Sequence, residues 1–164
     1  THDQVEAMSM SDRIAIMKEG EILQVAKPAE MYQRPENNFV AGFLGNPPIS
    51  ILEGKVSDGH VQICGEQFKW SLPDNIKKPD NGSSIGVGIR PEMYQPDLSC
   101  RIKGTISFVE TQGRENLYDV LLKDGSLLRS IQSADISTLA PGTEVNWGVK
   151  PEQLLYFDKD GKRL

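Results

Sequence analysis

Short helix and strand patterns alternate over the first 45 residues of the chain. Asp3 and Glu6 have the spacing of a capping box, so we expect a helix that begins after Asp3 and stops near residues 11–12. Two β-rich runs follow, Arg13–Met17 and Glu21–Ala26, and they flank a Lys-Glu-Gly turn in which the glycine can adopt positive φ. This pattern predicts a β-hairpin.

Two more helices are predicted after the hairpin. Pro28 suits the first turn of a helix over residues 28–34, and Pro35 ends it, because the residue before a proline disfavours the helical conformation. The next short helix, NNFVAGFL, ends at Gly45.

The segment NPPIS marks the clearest boundary in the chain. Consecutive prolines cannot continue a helix and favour an extended connector. We therefore divide the chain into residues 1–45, a linker at 46–50 and a second unit at 51–164.

Beyond the linker, the pattern changes to short strands that are separated by turn signals such as Asp-Gly and Asn-Gly. Many short strands with frequent turns favour an all-β barrel or sandwich. The only helical candidate in this unit is SADISTLA at residues 133–140. The predicted strands are ILEGKV, HVQIC, FKWSL, SIGVGIR, RIKGTISFVETQ, ENLYDVLLK, LLRSI, EVNWGVK and LLYF.

The second unit contains an internal repeat. GIRPEMY at 88–94 and GVKPEQLLY at 148–156 share glycine, a β-branched residue, a basic residue, proline and glutamate. Upstream of each copy lies a similar opening, LEGKV at 52–56 and IKGTI at 102–106. Two diverged copies of one small β unit explain both similarities, since packing two such units together covers faces and edges that one alone would expose.

Composition limits the partners and sites that the chain can offer. Eighteen basic against twenty-three acidic residues give a net charge of −5, and no basic stripe is present, which argues against nucleic-acid binding. No stretch approaches the roughly 18 consecutive apolar residues of a membrane-spanning helix. Cys64 and Cys100 are too few and too far apart for a disulfide framework or a zinc site, so we predict free thiols at strand positions and no bound metal.

His2 and His60 are the only histidines, and neither has a serine or cysteine nearby in the pattern of a catalytic triad. His60 follows an Asp-Gly turn, where solvent exposure is the simplest interpretation. A lone histidine near a helix start is ordinarily just a polar residue, but the sequence around His2 changes that interpretation.

Residues 1–45, which open with THDQVEAM and end with FVAGFLG, resemble without a gap the end of the ATPase domain in maltose-type ABC importers. In this family of carbohydrate-uptake ATP-binding subunits, THDQxEAM is the switch loop, and its histidine hydrogen-bonds the γ-phosphate of ATP. His2 matches that position. The resemblance therefore implies that His2 is a catalytic residue of an intact subunit.

The second unit supports the same resemblance. GIRPE at 88–92 is similar to the signature of the family's transport-associated regulatory domain, and the tail from Trp147 onward resembles its closing strand. The implied fold is mainly β: an OB-type β-barrel regulatory domain of two intertwined β units, preceded by a small α+β remnant of an ABC ATPase domain.

Three motifs that the family needs for ATP hydrolysis are absent from the 164 residues. They are the GxxxxGK[ST] phosphate loop, the LSGGQ signature and the apolar strand that ends in Asp-Glu. We therefore expect ATP and Mg²⁺ to bind in the intact subunit and no cofactor to bind this chain alone, which is predicted to be inactive as an enzyme. The chain looks like the C-terminal part of a longer subunit.

The resemblance also implies partners. The regulatory domain would contact a second copy of the subunit and receive signals from a regulatory protein or metabolite, and the missing ATPase portion would contact the membrane subunits on the cytoplasmic face of the membrane. Arg90, Glu92, Lys150 and Glu152, in the two Pro-Glu turns, are candidates for regulatory or dimer contacts. The alternative is that each Pro-Glu pair only shapes a turn while its charges are solvated. A guanidinium-specific role would apply only to Arg90, because Lys150 stands in the second copy.

Two further alternatives are open from the sequence. The solute is chosen by the membrane subunits and an external binding protein, so a sugar and a related solute such as glycerol phosphate are both compatible with the chain. Related β modules bind small oxyanions such as molybdate, but that function leaves residues 1–45 unexplained.

Without the rest of an ATPase domain, the first unit would expose apolar side chains, and we expect the chain to self-associate, most simply as a homodimer. The residues concerned are Ile14, Ile16, Ile22, Leu23, Val25, Phe39, Phe43 and Leu44.

Overall fold

The computed structural model describes residues 3–65, 68–135 and 138–164. Across these three segments, three α-helices and eleven strands are present. The helices are α1 (Gln4–Met10), α2 (Pro28–Gln33) and α3 (Asn38–Phe43). The strands are β1 (Ile14–Lys18), β2 (Glu21–Ala26), β3 (Ser50–Ser57), β4 (His60–Ile63), β5 (Phe68–Ser71), β6 (Ser84–Ile89), β7 (Cys100–Thr111), β8 (Glu115–Leu121), β9 (Leu127–Ser133), β10 (Glu144–Val149) and β11 (Leu155–Phe157).

Local signals determine the elements of the first unit as the sequence predicts. The Asp3 carboxylate accepts a hydrogen bond from the Glu6 backbone N–H at 3.0 Å and caps α1. Pro28 is the first residue of α2, and the Asn37 side chain caps α3 by accepting from the Val40 N–H at 2.9 Å. β1 and β2 form the predicted antiparallel hairpin.

A small core holds the hairpin against the helices. Met31 and Val40 are fully buried, and they pack with Ile14, Ile16 and Leu44. The prediction of an exposed apolar surface is therefore wrong for Ile14, Ile16 and Leu44, which are buried inside the first unit. Ile22, Val25 and Phe43 remain exposed, at 60%, 43% and 42%.

The β domain is built from two antiparallel sheets with the same plan. One has the strand order β11-β6-β3-β4-β5 and the other β10-β7-β8-β9. Leu52 in β3 pairs with Val87 in β6, and Ile102 in β7 pairs with Trp147 in β10. The registers of the two pairs are equivalent, which confirms the predicted internal repeat.

One core lies between the two sheets. Trp147 sits at its centre, with its ring 5.5 Å from those of Tyr94 and Tyr118. Trp70 from the first sheet packs in the same cluster and donates a hydrogen bond to the Tyr156 hydroxyl at 2.9 Å. Because apolar residues of both copies share this core, neither copy forms a separate domain.

The two copies are also intertwined by strand exchange. β11, which follows the second copy, pairs with β6 of the first copy. Two residues of β11, Leu155 and Phe157, then pack with Ile49 and with Ala41 of α3. The mainly β fold of two intertwined units is therefore confirmed, and β11 connects it to the first unit.

Two sequence expectations are wrong in detail. The predicted helix at 133–140 is not formed in its described part, since Ser133 still belongs to β9 and residues 134–135 form a turn; residues 136–137 lie outside the described residues. Cys64 lies in the turn after β4 with φ of 52° rather than in a strand, whereas Cys100 begins β7. Both thiols are free.

Candidate functional site at the two Pro-Glu turns

Each copy of the repeat ends in a short 3₁₀ turn that carries a Pro-Glu pair. The first Pro-Glu turn, Pro91–Met93, follows β6, and the second, Pro151–Gln153, follows β10. Proline begins both turns because its fixed φ suits the first helical position, where its missing N–H costs nothing. The four predicted contact residues are thus the basic residue before each turn and the glutamate within it.

Arg90 is buried, with 1% of its surface exposed, and its guanidinium is used within the chain. Nη1 donates to the Leu44 carbonyl at 3.0 Å, and Nη2 donates to the Tyr32 carbonyl at 2.7 Å. Leu44 is the C-cap of α3 and Tyr32 lies in the last turn of α2. These carbonyls are left unpaired by their helices and carry partial negative charge, so a cation is favourable there.

Tyr32 covers the guanidinium. The Arg90 guanidinium carbon lies 3.5 Å from the centre of the Tyr32 ring, within range of a cation–π contact. The Tyr32 hydroxyl donates to the Glu92 carboxylate at 2.8 Å. Arg90 and Glu92, on either side of Pro91, therefore hold the same tyrosine at its ring and at its hydroxyl.

Burial dominates the electrostatics of this cluster. It lowers the pKa of Arg90, an effect that Tyr32 and Glu92 oppose. It raises the pKa of Tyr32 to about 12, with the hydrogen bond to Glu92 acting in the same direction. Among the ion pairs of the described residues, none involves Arg90, so the helix carbonyls and the tyrosine ring stand in for a carboxylate partner.

Gly45 packs directly against the cluster. Its φ is +110°, a conformation that side chains rarely adopt, and a Cβ there would lie 3.4 Å from Arg90 Nη1. The positive φ therefore favours glycine at this position, beside the arginine.

The second turn is different. Lys150 is exposed and makes no hydrogen bond or ion pair to another side chain in the described part of the chain, and Glu152 is exposed as well. The backbone is nevertheless the same 3₁₀ turn after an equivalent strand. The two copies therefore share a backbone conformation, but the basic residue is buried in the first copy and exposed in the second.

A cleft of about 640 Å³ brings the two turns together, and we call it the turn cleft. Glu92 and Glu152 both line it, as do Arg90 and Arg163. Arg163 donates through Nη1 to the Gln33 carbonyl at 3.0 Å. Three of the four predicted residues therefore share one cleft, while Lys150 is not part of its lining.

The predicted site residues differ in how far they are exposed. His2 lies outside the described residues. Arg90 is buried and its guanidinium is hydrogen-bonded within the chain, whereas Glu92, Lys150 and Glu152 are exposed; a contact of any of the four with a second molecule stays a prediction. His60 contacts the Asp58 carbonyl through Nδ1 at 2.9 Å and is half-buried, not fully exposed.

Sequence reasoning missed Tyr32 and the Leu44 carbonyl. The only signal was the difference between arginine and lysine in the two copies, which pointed to a role for a guanidinium at position 90 but not to its acceptors.

The sequence has no phosphate loop, and no group of three or more His, Cys, Asp or Glu side chains within the described segments could hold a metal ion. No helix in those segments is both long and apolar enough to cross a membrane. The chemistry available at the turns is binding through carboxylates and guanidinium groups.

Comparisons with known proteins agree with this architecture. Residues 45–93 match the family described as "MalK OB fold domain", and residues 87–157 match the family described as "TOBE domain". The Fe(3+) ions import ATP-binding protein FbpC of Fusobacterium nucleatum is 35% identical over 99% of this chain and 44% of its own length. The chain is therefore a homologue of the import ATP-binding proteins and carries a MalK OB fold domain and a TOBE domain.

Other relatives cover these MalK OB fold and TOBE domains as completely. The sn-glycerol-3-phosphate import ATP-binding protein UgpC of Vibrio vulnificus is 35% identical over 100% of this chain and 44% of its own length. The maltose/maltodextrin import ATP-binding protein MalK of Mannheimia succiniciproducens is 35% identical over 98% of this chain and 46% of its own length. The chain thus spans less than half the length of these relatives.

A solved structure has a similar fold over part of the chain. The molybdate-bound cytoplasmic molybdate-binding protein ModG superposes with a TM-score of 0.54 at 14% sequence identity, over 65% of this chain and 93% of that one. At this identity, the similarity concerns the fold alone.

Proposed function

We propose that the chain is the C-terminal part of the ATP-binding subunit of an ABC importer. In this proposal, residues 1–45 end the ATPase domain, residues 46–50 are a linker and residues 51–164 form the regulatory domain. The observation that carries the proposal is the similarity of the whole chain to import ATP-binding proteins, at 35% identity for three relatives.

The intact subunit would bind ATP and Mg²⁺ through residues outside this chain. His2 would contact the γ-phosphate there, as its position in THDQVEAM implies. The ATPase portion would contact the membrane subunits, which places the subunit on the cytoplasmic face of the membrane. A second copy of the subunit would complete a homodimer.

The β domain would hold the two copies together and receive regulatory signals. Glu92, Glu152 and Lys150 suit an external contact because all three are exposed. A regulatory protein or metabolite that meets Glu92 and Glu152 would do so at the turn cleft.

The imported solute is proposed to be a sugar or a related solute such as glycerol phosphate. The relatives named for maltose/maltodextrin and for sn-glycerol-3-phosphate support this class. The relative named for Fe(3+) shows that the same domains also occur beside another cargo.

The coding sequence upstream of Thr1 tests the proposal directly. We expect a phosphate loop, an LSGGQ signature and an apolar strand that ends in Asp-Glu; their absence would refute it. The intact subunit, assembled with its membrane subunits, should hydrolyse ATP. Replacing His2 with alanine should lower ATP turnover by about two to three orders of magnitude, because a contact to the transferred phosphate is lost.

Calorimetry of the chain with molybdate separates this function from that of an oxyanion-binding module. We expect no saturable heat. A stoichiometric molybdate complex would favour the binding module, the function named for the structural relative.

A further inference from the structure

We propose that Arg90 is a positioning residue that fixes α2 and α3 to the β domain. Its contacts with the Leu44 carbonyl, the Tyr32 carbonyl and the Tyr32 ring are called the latch below. In the intact subunit, the latch would pass movements of the ATPase end to the regulatory domain, and this second part rests on the proposed function. The first part concerns only the contacts of this chain.

The internal repeat provides the control for this inference. β6 and β10 lead into equivalent Pro-Glu turns, yet the second copy forms its turn with an exposed lysine at the position of Arg90. The turn itself therefore does not require a buried cation. What the first copy has and the second lacks is the pair of helix ends, which supply the Leu44 and Tyr32 carbonyls.

The geometry uses the guanidinium specifically. Its two terminal nitrogens donate to carbonyls of two different helices, while its face lies 3.5 Å from the Tyr32 ring. A planar fork can make these three contacts at once, whereas an ammonium group has neither the two separated donors nor the flat face. The arrangement fixes the spacing between α2, α3 and β6.

Other contacts also join the two units, but they act elsewhere. Ala41 of α3 packs on Ile49, Leu155 and Phe157, and the Asn38 N–H donates to the Gly161 carbonyl at 2.8 Å. These contacts hold α3, and Arg163 Nη1 donates to the Gln33 carbonyl at the end of α2 at 3.0 Å. Among the buried polar side chains of the described residues, Arg90 is the one that reaches from the β domain to both helices.

Glu92 connects the latch to the surface, because it is exposed and contacts Tyr32. Its carboxylate holds the Tyr32 hydroxyl, and it also lines the turn cleft together with Glu152, Arg90 and Arg163. A group that binds Glu92 in the cleft would compete with Tyr32 for the carboxylate. Through Glu92, the Tyr32 ring that covers the Arg90 guanidinium is thus connected to the turn cleft, where a regulator would bind.

Hydrogen exchange of the 164-residue chain tests the latch. Replacing Arg90 with alanine leaves the Leu44 and Tyr32 carbonyls without their cationic donor. We expect exchange of amides in residues 28–45 to rise by about tenfold or more, because hydrogen bonds to charged groups are lost, while the strands of the β domain change little. Arg90→Lys should restore only part of the protection. Lys150→Ala is the matched control and should change neither region.

Several outcomes would overturn the latch. A uniform rise over all strands would mean that Arg90 is only a stability residue, and full rescue by lysine would remove the role of the fork. If Arg90→Ala does not fold, Arg90→Lys provides the comparison, because lysine keeps the charge but lacks the two separated donors and the flat face. Unchanged exchange over residues 28–45 in Arg90→Lys would then count against the latch.

The intact complex tests the transmission. We expect Arg90→Ala to lower the solute imported per ATP hydrolysed several-fold, whereas Lys123→Ala, at an exposed lysine outside both Pro-Glu turns, should leave this ratio unchanged. An unchanged ratio, with the exchange result intact, would overturn the transmission and leave the latch. If the wild-type complex does not hydrolyse ATP, the proposed function fails, and the exchange experiment still decides the latch.

Discussion

Three of the four tyrosines donate their hydroxyl within the chain. Tyr32 donates to Glu92, Tyr94 to the Ile102 carbonyl and Tyr156 to the Pro151 carbonyl. Burial raises the pKa of all three, and that of Tyr32 reaches about 12. A buried phenol resists ionisation because phenolate loses more hydration than the neutral form.

These shifts predict an alkaline limit to stability. The folded pKa of Tyr32 lies above the ordinary value of 10.0, so its contribution to stability is fully present below pH 10 and is lost as the pH rises towards 12. We expect the ultraviolet phenolate signal of the folded chain to appear at higher pH than that of the urea-unfolded chain. In Tyr32→Phe, the part of the signal near pH 12 should disappear. Coincident titration curves for folded and unfolded chains would contradict this.

At the scale of elements, a hydrogen bond shows how the first sheet is curved. β5 and β11 are the two outer strands of the five-stranded order, yet Trp70 in β5 donates to the Tyr156 hydroxyl in β11 at 2.9 Å. A flat sheet would hold outer strands far apart, since neighbours are about 4.8 Å from each other. The sheet therefore curls until its edges approach, as in a barrel.

A double-mutant cycle on this pair measures the closure. Tyr156→Phe removes the acceptor of a buried indole N–H and should lower the free energy of unfolding by about 1–3 kcal/mol. Trp70→Phe should cost a similar amount or more, because it also leaves a cavity. In urea unfolding, we expect a coupling energy of about 0.5–1.5 kcal/mol between the two changes. Strict additivity would mean that the hydrogen bond does not contribute to closure.

The sequence predicts where the helices and strands lie better than which segments contact one another. Strand periodicity and turn residues locate all nine strands of the β domain, because these signals are local. The family resemblance implies that the two units are intertwined, but it does not identify β11 as the exchanged strand, and the burial of Arg90 is not predicted. Both depend on contacts between segments far apart in the chain, and the acceptors of Arg90 are backbone carbonyls, which no side-chain pattern identifies.

At the scale of the whole molecule, six of the ten exposed large apolar side chains among the described residues lie in the first unit. Val5 is 71% exposed, Met10 81% and Met17 58%, and Ile22 on the neighbouring strand is 60% exposed. Unpartnered apolar surface of this kind favours association with other protein surfaces. Our expectation that the chain self-associates stays a prediction.

Light scattering on the chain and two variants tests it. We expect oligomers at micromolar concentration, shifted towards monomer by Ile22→Lys, which introduces a charge into the exposed patch. Phe108→Ser is the matched control, since Phe108 is 52% exposed but lies in the β domain, and it should leave the distribution unchanged. A clean monomer for the unmodified chain at tens of micromolar would contradict the prediction.

The position of β11 has a consequence for synthesis. A chain leaves the ribosome from its N-terminus, so β6 and its first partner, β3, emerge long before β11, which pairs with the other edge of β6. Arg163 donates to the Gln33 carbonyl across 130 residues of sequence, so the end of α2 also waits for this late segment. A nascent chain stopped before residue 155 would therefore present a β6 edge without β11 and an end of α2 without the Arg163 hydrogen bond, so both contacts form only after residues 155–163 have emerged.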